Sequence, residues 1–260
     1  MRKHWMLAVL LLVGTFLISS TLHAQQGNPP AQAAAGRGAG RGPAPPVPGP
    51  PHDAHDLAGV WNARRGYGLN SFDQAGPAMT PWGQQQFKEA KASNGGEFTL
   101  ETTNDPVITK CLPPGTPRIY LQPFPLQVVQ TPSQVIMLFE YDHTVRHIFI
   151  DGRKHPEDVT PTYMGDSIGH WEGDILVVDT TGLNDKTWLD RVGHAHSDQL
   201  HVIERFHRLD QNNLDVDITM EDPKALAKPW TVHYGFVLHA DWNIMEQVCA
   251  DNEEFLKFEK

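Results

Sequence analysis

Hydrophobic and polar residues alternate along most of the second half of the chain. In Leu214–Met220 the residues Leu214, Val216, Ile218 and Met220 fall on one side and Asp215, Asp217 and Thr219 on the other. This is the period of two expected of a strand with one face buried. Comparable runs at 126–131, 134–141, 145–150, 165–171, 175–181, 200–208, 230–239 and 243–249 are separated by turn residues such as Thr131-Pro132-Ser133, Glu172-Gly173-Asp174 and Asp210-Gln211-Asn212-Asn213. A helical pattern covers 84–91, where Thr80 is placed to cap and Pro81 to take the first helical position. The prolines between Asn94 and Pro125 exclude a central strand there. With no β-α-β alternation, the pattern predicts an all-β fold: an antiparallel closed or nearly closed barrel with one short helix near its N-terminus, wide enough for one small ligand.

The ends of the chain change the picture of where this barrel works. Arg2 and Lys3, the apolar run 6–18 and the small residues up to Ala24 read as a secretory signal peptide over 1–24. At thirteen residues the run is short of the roughly 20 that a membrane span needs, so no span is expected after cleavage. Residues 25–52, rich in Pro, Gly and Ala, lack core-forming side chains and read as a disordered tether, leaving 53–260 as a single barrel domain. The predicted address is periplasmic or extracellular, and in that setting the two cysteines, Cys111 and Cys249, are expected to form a disulfide. A formal net charge of −10 argues against nucleic acid or an anionic membrane as partner.

Candidate chemistry concentrates between His143 and Phe206. On the strand 200–208, Glu204 shares a face with Leu200, Val202 and Phe206, so its carboxylate points among apolar side chains and must be paired or protonated. Arg146 is the candidate partner, and His196 or His170 the candidate to complete an acid/base set, which makes these four the expected catalytic residues. Trp171, Trp188, His143, Asp190 and Tyr234 are the expected ligand-binding residues. The weaker alternative is a metal held by His194, His196 and His201, against which stands Leu200 where a cupin-type site would carry Glu. No nucleotide, haem, redox or nucleophile-elbow motif is present, and no cofactor is expected. The reading that follows is an exported enzyme doing cofactor-independent acid/base chemistry (lyase, isomerase or hydrolase) on a small molecule in the barrel cavity. Its alternatives are a lipocalin-like carrier of a small apolar ligand and a structural envelope module.

Gly59-Val60-Trp61 has the G-x-W spacing with which lipocalin-like barrels often open. The run from Gly165 to Thr181, with Thr187-Trp188-Leu189-Asp190, His196-Ser197, Leu200 to Phe206, Gln130-Thr131-Pro132 and Asp151-Gly152-Arg153-Lys154-His155-Pro156, resembles a family of exported bacterial β-rich, lipocalin-like proteins of uncharacterised function. The resemblance implies an address and a fold, and carries no activity with it.

Overall fold

The computed structural model describes residues 52–64, 70–92 and 102–249. The reading of 1–24 as a signal peptide lies outside these residues, as does that of 25–52 as a tether except for His52, whose Nε2 lies 3.1 Å from the Arg208 carbonyl oxygen.

Nine strands close into a barrel in sequence order: β1 (Gly59–Ala63), β2 (Leu126–Gln130), β3 (Gln134–Phe139), β4 (Val145–Phe149), β5 (Asp166–Glu172), β6 (Ile175–Thr181), β7 (His201–Arg208), β8 (Asn213–Glu221) and β9 (Trp230–Leu238). The barrel shuts where β9 pairs with β1, Trp61 opposite Leu238. The alternation read from sequence sets the register. Val202, Glu204 and Phe206 of β7 sit opposite Met220, Ile218 and Val216 of β8, and all six point into the barrel. Every pairing is antiparallel except β4 with β5, which run parallel and touch over only two residue pairs, Ile148–Ser167 and Phe149–Ile168. A parallel join needs a crossover, and here the segment after β4 returns along the outside of β5 and β6. His155 pins it there, its Nδ1 lying 2.6 Å from Asp166 Oδ1 and its Nε2 2.9 Å from Asp179 Oδ1.

The barrel is a packed core. Trp61 is fully buried, with its indole N–H donating to the Leu57 carbonyl at 2.9 Å. A 3-10 turn at Arg118–Leu121 carries Tyr120 inward against Phe139, Phe206 and Phe236. The proline-rich stretch before β2 is thus an inner plug as well as a connection, which corrects the expectation of a lumen free for a ligand. Two short helices flank the barrel, α1 (Pro81–Glu89) and α2 (Pro106–Thr109). Thr80 caps α1 by accepting from Gly83 N at 3.1 Å. Gly83 sits so close to the barrel's end that a Cβ there would lie 2.2 Å from the Ala225 carbonyl oxygen.

Two expectations change. The stretch 59–63, taken above only as an opening motif, is a full strand, whereas 243–249 is not a strand at all. It runs as an irregular strap across the turn before β4. Met245 N donates to Glu140 Oε2 at 2.8 Å, and Gln247 Oε1 accepts from Asp142 N at 2.7 Å. A disulfide between Cys111 and Cys249, with Cα atoms 5.6 Å apart, then fastens its end.

Candidate functional site

Glu204 and Arg146 meet inside the barrel, 0% and 1% exposed. Arg146 comes from β4 and Glu204 from β7, so the pair spans the interior and forms a fork-to-fork contact through both guanidinium nitrogens, with Nη1 2.9 Å from Oε1 and Nη2 on Oε2. Every remaining group nearby is also engaged. Tyr120 Oη donates to Glu204 Oε1 at 2.7 Å, Arg146 Nε donates to Ser167 Oγ at 3.2 Å, and Arg146 Nη2 donates to Thr180 Oγ1 at 2.9 Å. Burial acts to lower the Arg146 pKa, but the Glu204 carboxylate and Tyr120 outweigh it and hold the guanidinium charged. Burial, with the Glu204 charge beside it, drives the Tyr120 phenol well above its ordinary value. A saturated network of this kind is built to hold strands in place, and neither His170 nor His196 belongs to it.

The loop between β6 and β7 assembles a different group at the barrel's end. Asp190 Oδ1 accepts the backbone N–H groups of Val192, Gly193 and His194 at 3.0, 3.2 and 3.3 Å. Such a turn needs the left-handed backbone that Gly193 supplies, at φ 105°. It carries His194 back over the aspartate, whose Oδ2 accepts from His194 Nδ1 at 2.6 Å and from Ser71 Oγ at 2.7 Å. Phe87 of α1 stacks on the imidazole at 4.5 Å, and Trp230 meets it edge-on. The ring is thereby fixed in one tautomer and one plane. It borders a cavity of about 580 Å³ whose other walls include Ser71, Asp73, Gly76, Met79 and Val192. A Cβ on Gly76, at φ 66°, would stand 3.0 Å from His194 Nε2, so this glycine keeps the second ring nitrogen approachable.

His196, two residues on, faces the opposite way into a small polar cavity of about 160 Å³ with Thr187, Trp188 and Asp185. Its Nδ1–H donates to the Ser197 carbonyl at 3.1 Å. The neighbouring Ser197 hydroxyl donates to Asp222 rather than to a histidine, so His196, Ser197 and Asp222 do not form a nucleophile triad. Burial depresses the His196 pKa below its ordinary 6.5, partly opposed by the Ser197 carbonyl and by Asp222. The sign of its effect on stability follows. As pH falls through 6.5 the unfolded chain takes up a proton that the folded ring refuses, so stability falls until the depressed folded pKa is reached. Thermal melts between pH 8 and 5 should therefore lose less in His196→Gln than in the parent chain. Parallel melting curves would contradict this.

The remaining predicted residues are not brought together. His170 lies on the outer face of β5 with its side chain 66% exposed, 3.1 Å from Glu172. Trp171, on the opposite face from His170, is half-buried at the end of β5, packed against the core opposite Leu176 and stacked on His55. Tyr234 is wholly buried between Phe72 and Phe236 and lines neither the His194 cavity nor the His196 cavity. His143 is an exposed turn residue at φ 48°, and the Trp188 ring packs beneath Arg118. The metal alternative fails on direction. His194 binds Asp190, His196 faces the other cavity, and His201 lies outside, 3.0 Å from Asp179. Among the described residues no group of three potential ligands is placed to hold a metal ion. Asp190 and His194 were both visible in the sequence as separate candidates. Their pairing was legible only in the spacing, an aspartate four residues before a histidine with Gly193 between them.

The chain matches no family model, no curated protein and no solved structure. Fold and site together define a closed nine-stranded β-barrel whose end loops hold a carboxylate-oriented histidine beside a cavity. No helix among the described residues is long and apolar enough to cross a membrane.

Proposed function

We propose that the protein is an exported enzyme carrying out cofactor-independent acid/base chemistry on a small molecule, with His194 as the general base. The observation that carries this reading is the 2.6 Å contact from His194 Nδ1 to Asp190, which directs the other ring nitrogen toward the 580 Å³ cavity. A carboxylate that receives one imidazole N–H fixes the tautomer and stabilises the imidazolium that forms when the other nitrogen takes a proton. Asp190 is suited to that role because three backbone amides and the Ser71 hydroxyl already hold its charge in place. A cavity of this size suits a small organic substrate. The disulfide and the leader-like first 24 residues support export. A carrier of the lipocalin-like kind would keep an apolar lumen, whereas the barrel interior is taken up by Trp61, Tyr120 and the Arg146–Glu204 pair.

The test is solvent-isotope incorporation. A mixture of small uncharged carbonyl compounds, esters and lactones is incubated with the protein in D2O and in H2-18O, and products are read by NMR and mass spectrometry. The parent chain should introduce deuterium or 18O into at least one compound, and His194→Gln should slow this about 10²–10⁴-fold, the usual contribution of a general base. Equal rates in the two proteins would remove His194 from the chemistry.

A further inference from the structure

The barrel's parallel join leaves an opening. β4 and β5 touch only at Ile148–Ser167 and Phe149–Ile168, and beside the earlier half of β4 lies a cleft of about 470 Å³. One wall is β4 itself, with Val145, His147 and Phe149; the other is Tyr163 and Met164, and Arg146 and Ser167 lie at the floor. Val145 is 43% exposed.

The two walls differ in their backbone. Phe139 N donates to Thr144 O at 2.9 Å and Ile150 N to Ser133 O at 2.8 Å, which fixes the phase of the β3–β4 ladder. Since antiparallel partners alternate between hydrogen-bonded and open pairs, Arg146 and Ile148 point their amides at β3, as Thr144 does its carbonyl, while Val145, His147 and Phe149 point theirs the other way. The β5 ladder occupies Phe149 and the His147 carbonyl by that same alternation. The Val145 amide and carbonyl and the His147 amide are left facing the cleft. On the opposite wall Tyr163 O accepts from Thr116 N at 3.1 Å, Met164 O accepts from Thr116 Oγ1 at 3.4 Å, and Thr162 bonds Gly182 and Asn184. The Tyr163 and Met164 carbonyls of that wall are therefore already engaged.

We propose that this cleft is a docking slot for an extended peptide segment of a partner protein, added as a strand along Val145–His147. An open strand edge with an apolar wall facing it is the requirement for strand addition, in which main-chain hydrogen bonds supply affinity and alternate side chains supply selectivity. The charge of the segment follows from the rim, where Asp142 stands at one end and Asp166, held by His155, at the other, on a chain of net charge −10. The matching partner is an alternating segment with basic residues at its ends. The slot lies apart from the His194 cavity and shares no lining residue with it, so this proposal and the catalytic reading stand or fall separately.

The probe is a synthetic hexapeptide, acetyl-Lys-Val-Thr-Val-Thr-Lys-amide, titrated into the 15N-labelled full chain. It should perturb the amides of Val145 and His147 most. Methylating the peptide's inward-facing backbone nitrogens should weaken binding roughly tenfold or more, the equivalent of one or two lost hydrogen bonds. Replacing both lysines by glutamate should weaken it as well. Val145→Pro removes the edge donor without touching the β3 ladder, and Thr144, at φ −66° and ψ 134°, already has the conformation required before proline. This variant should melt like the parent and lose the peptide. Asp142→Asn, which keeps a residue tolerant of φ 51°, should reduce affinity for the basic probe alone. Binding that survives methylation would mean the cleft takes any small apolar body, and no binding would mean it takes no strand. Either result overturns the proposal.

Discussion

Replacing Glu204 with glutamine should lower stability by about 3–5 kcal/mol, the cost of leaving one member of a buried ion pair uncompensated. The amide preserves the shape of the side chain but cannot balance the buried Arg146 guanidinium, which keeps its charge because arginine is not deprotonated in proteins. For a domain of this size the loss amounts to roughly 6–20 °C in melting temperature. Removing both charges together, as Glu204→Leu with Arg146→Met, should recover most of it, because two well-packed apolar side chains replace a buried pair at little net cost. The comparison also separates two roles for Glu204. If Glu204→Gln melted with the parent chain while abolishing turnover, the carboxylate would be a catalytic group and the structural assignment would be wrong.

A second large effect is expected at the disulfide. Cys111 and Cys249 are 138 residues apart, and closing a loop of that length restricts the unfolded chain by about 5 kcal/mol in the chain-entropy account. Cys249→Ser should therefore melt well below the parent, and reductant should move the parent toward the variant. The same change should free the strap that holds Glu140 and Asp142 through Met245 and Gln247, so that protease cuts near residues 141–143 before the barrel strands. Coincident melting curves for the oxidised and reduced parent would sink the expectation.

The sequence made the strands legible wherever one face met water and the other the core. On β7 and β8 the alternation was strict enough to place Glu204 inside before any partner was known. It failed at Asn243–Cys249, whose apolar residues serve a strap held by individual hydrogen bonds and a disulfide, which leave no periodic trace. It failed again at Arg118–Leu121, where prolines mark a turn but do not say that the turn points inward. The candidate site was hidden for a related reason. Asp190 and His194 meet through a loop closed by backbone amides, and loop geometry is set by a few dihedral angles rather than by a repeating pattern. His170 and Trp171, by contrast, drew notice as chemical types on neighbouring positions of one strand, whose alternation sends the first outward and the second against the core, so the two never meet.

The number nine has a consequence of its own. Each antiparallel pairing reverses the chain direction, and a ring returns to its starting direction only after an even number of reversals. Nine strands therefore cannot close with every neighbour reversed, and the single parallel contact between β4 and β5 makes up the difference. A tenth strand laid between those two and running against one of them would run against both. The ring would then be antiparallel throughout. Only one direction makes every contact in the ring alike: a strand that runs from the Phe149 end of β4 toward the Val145 end, since the opposite direction would add a second parallel contact.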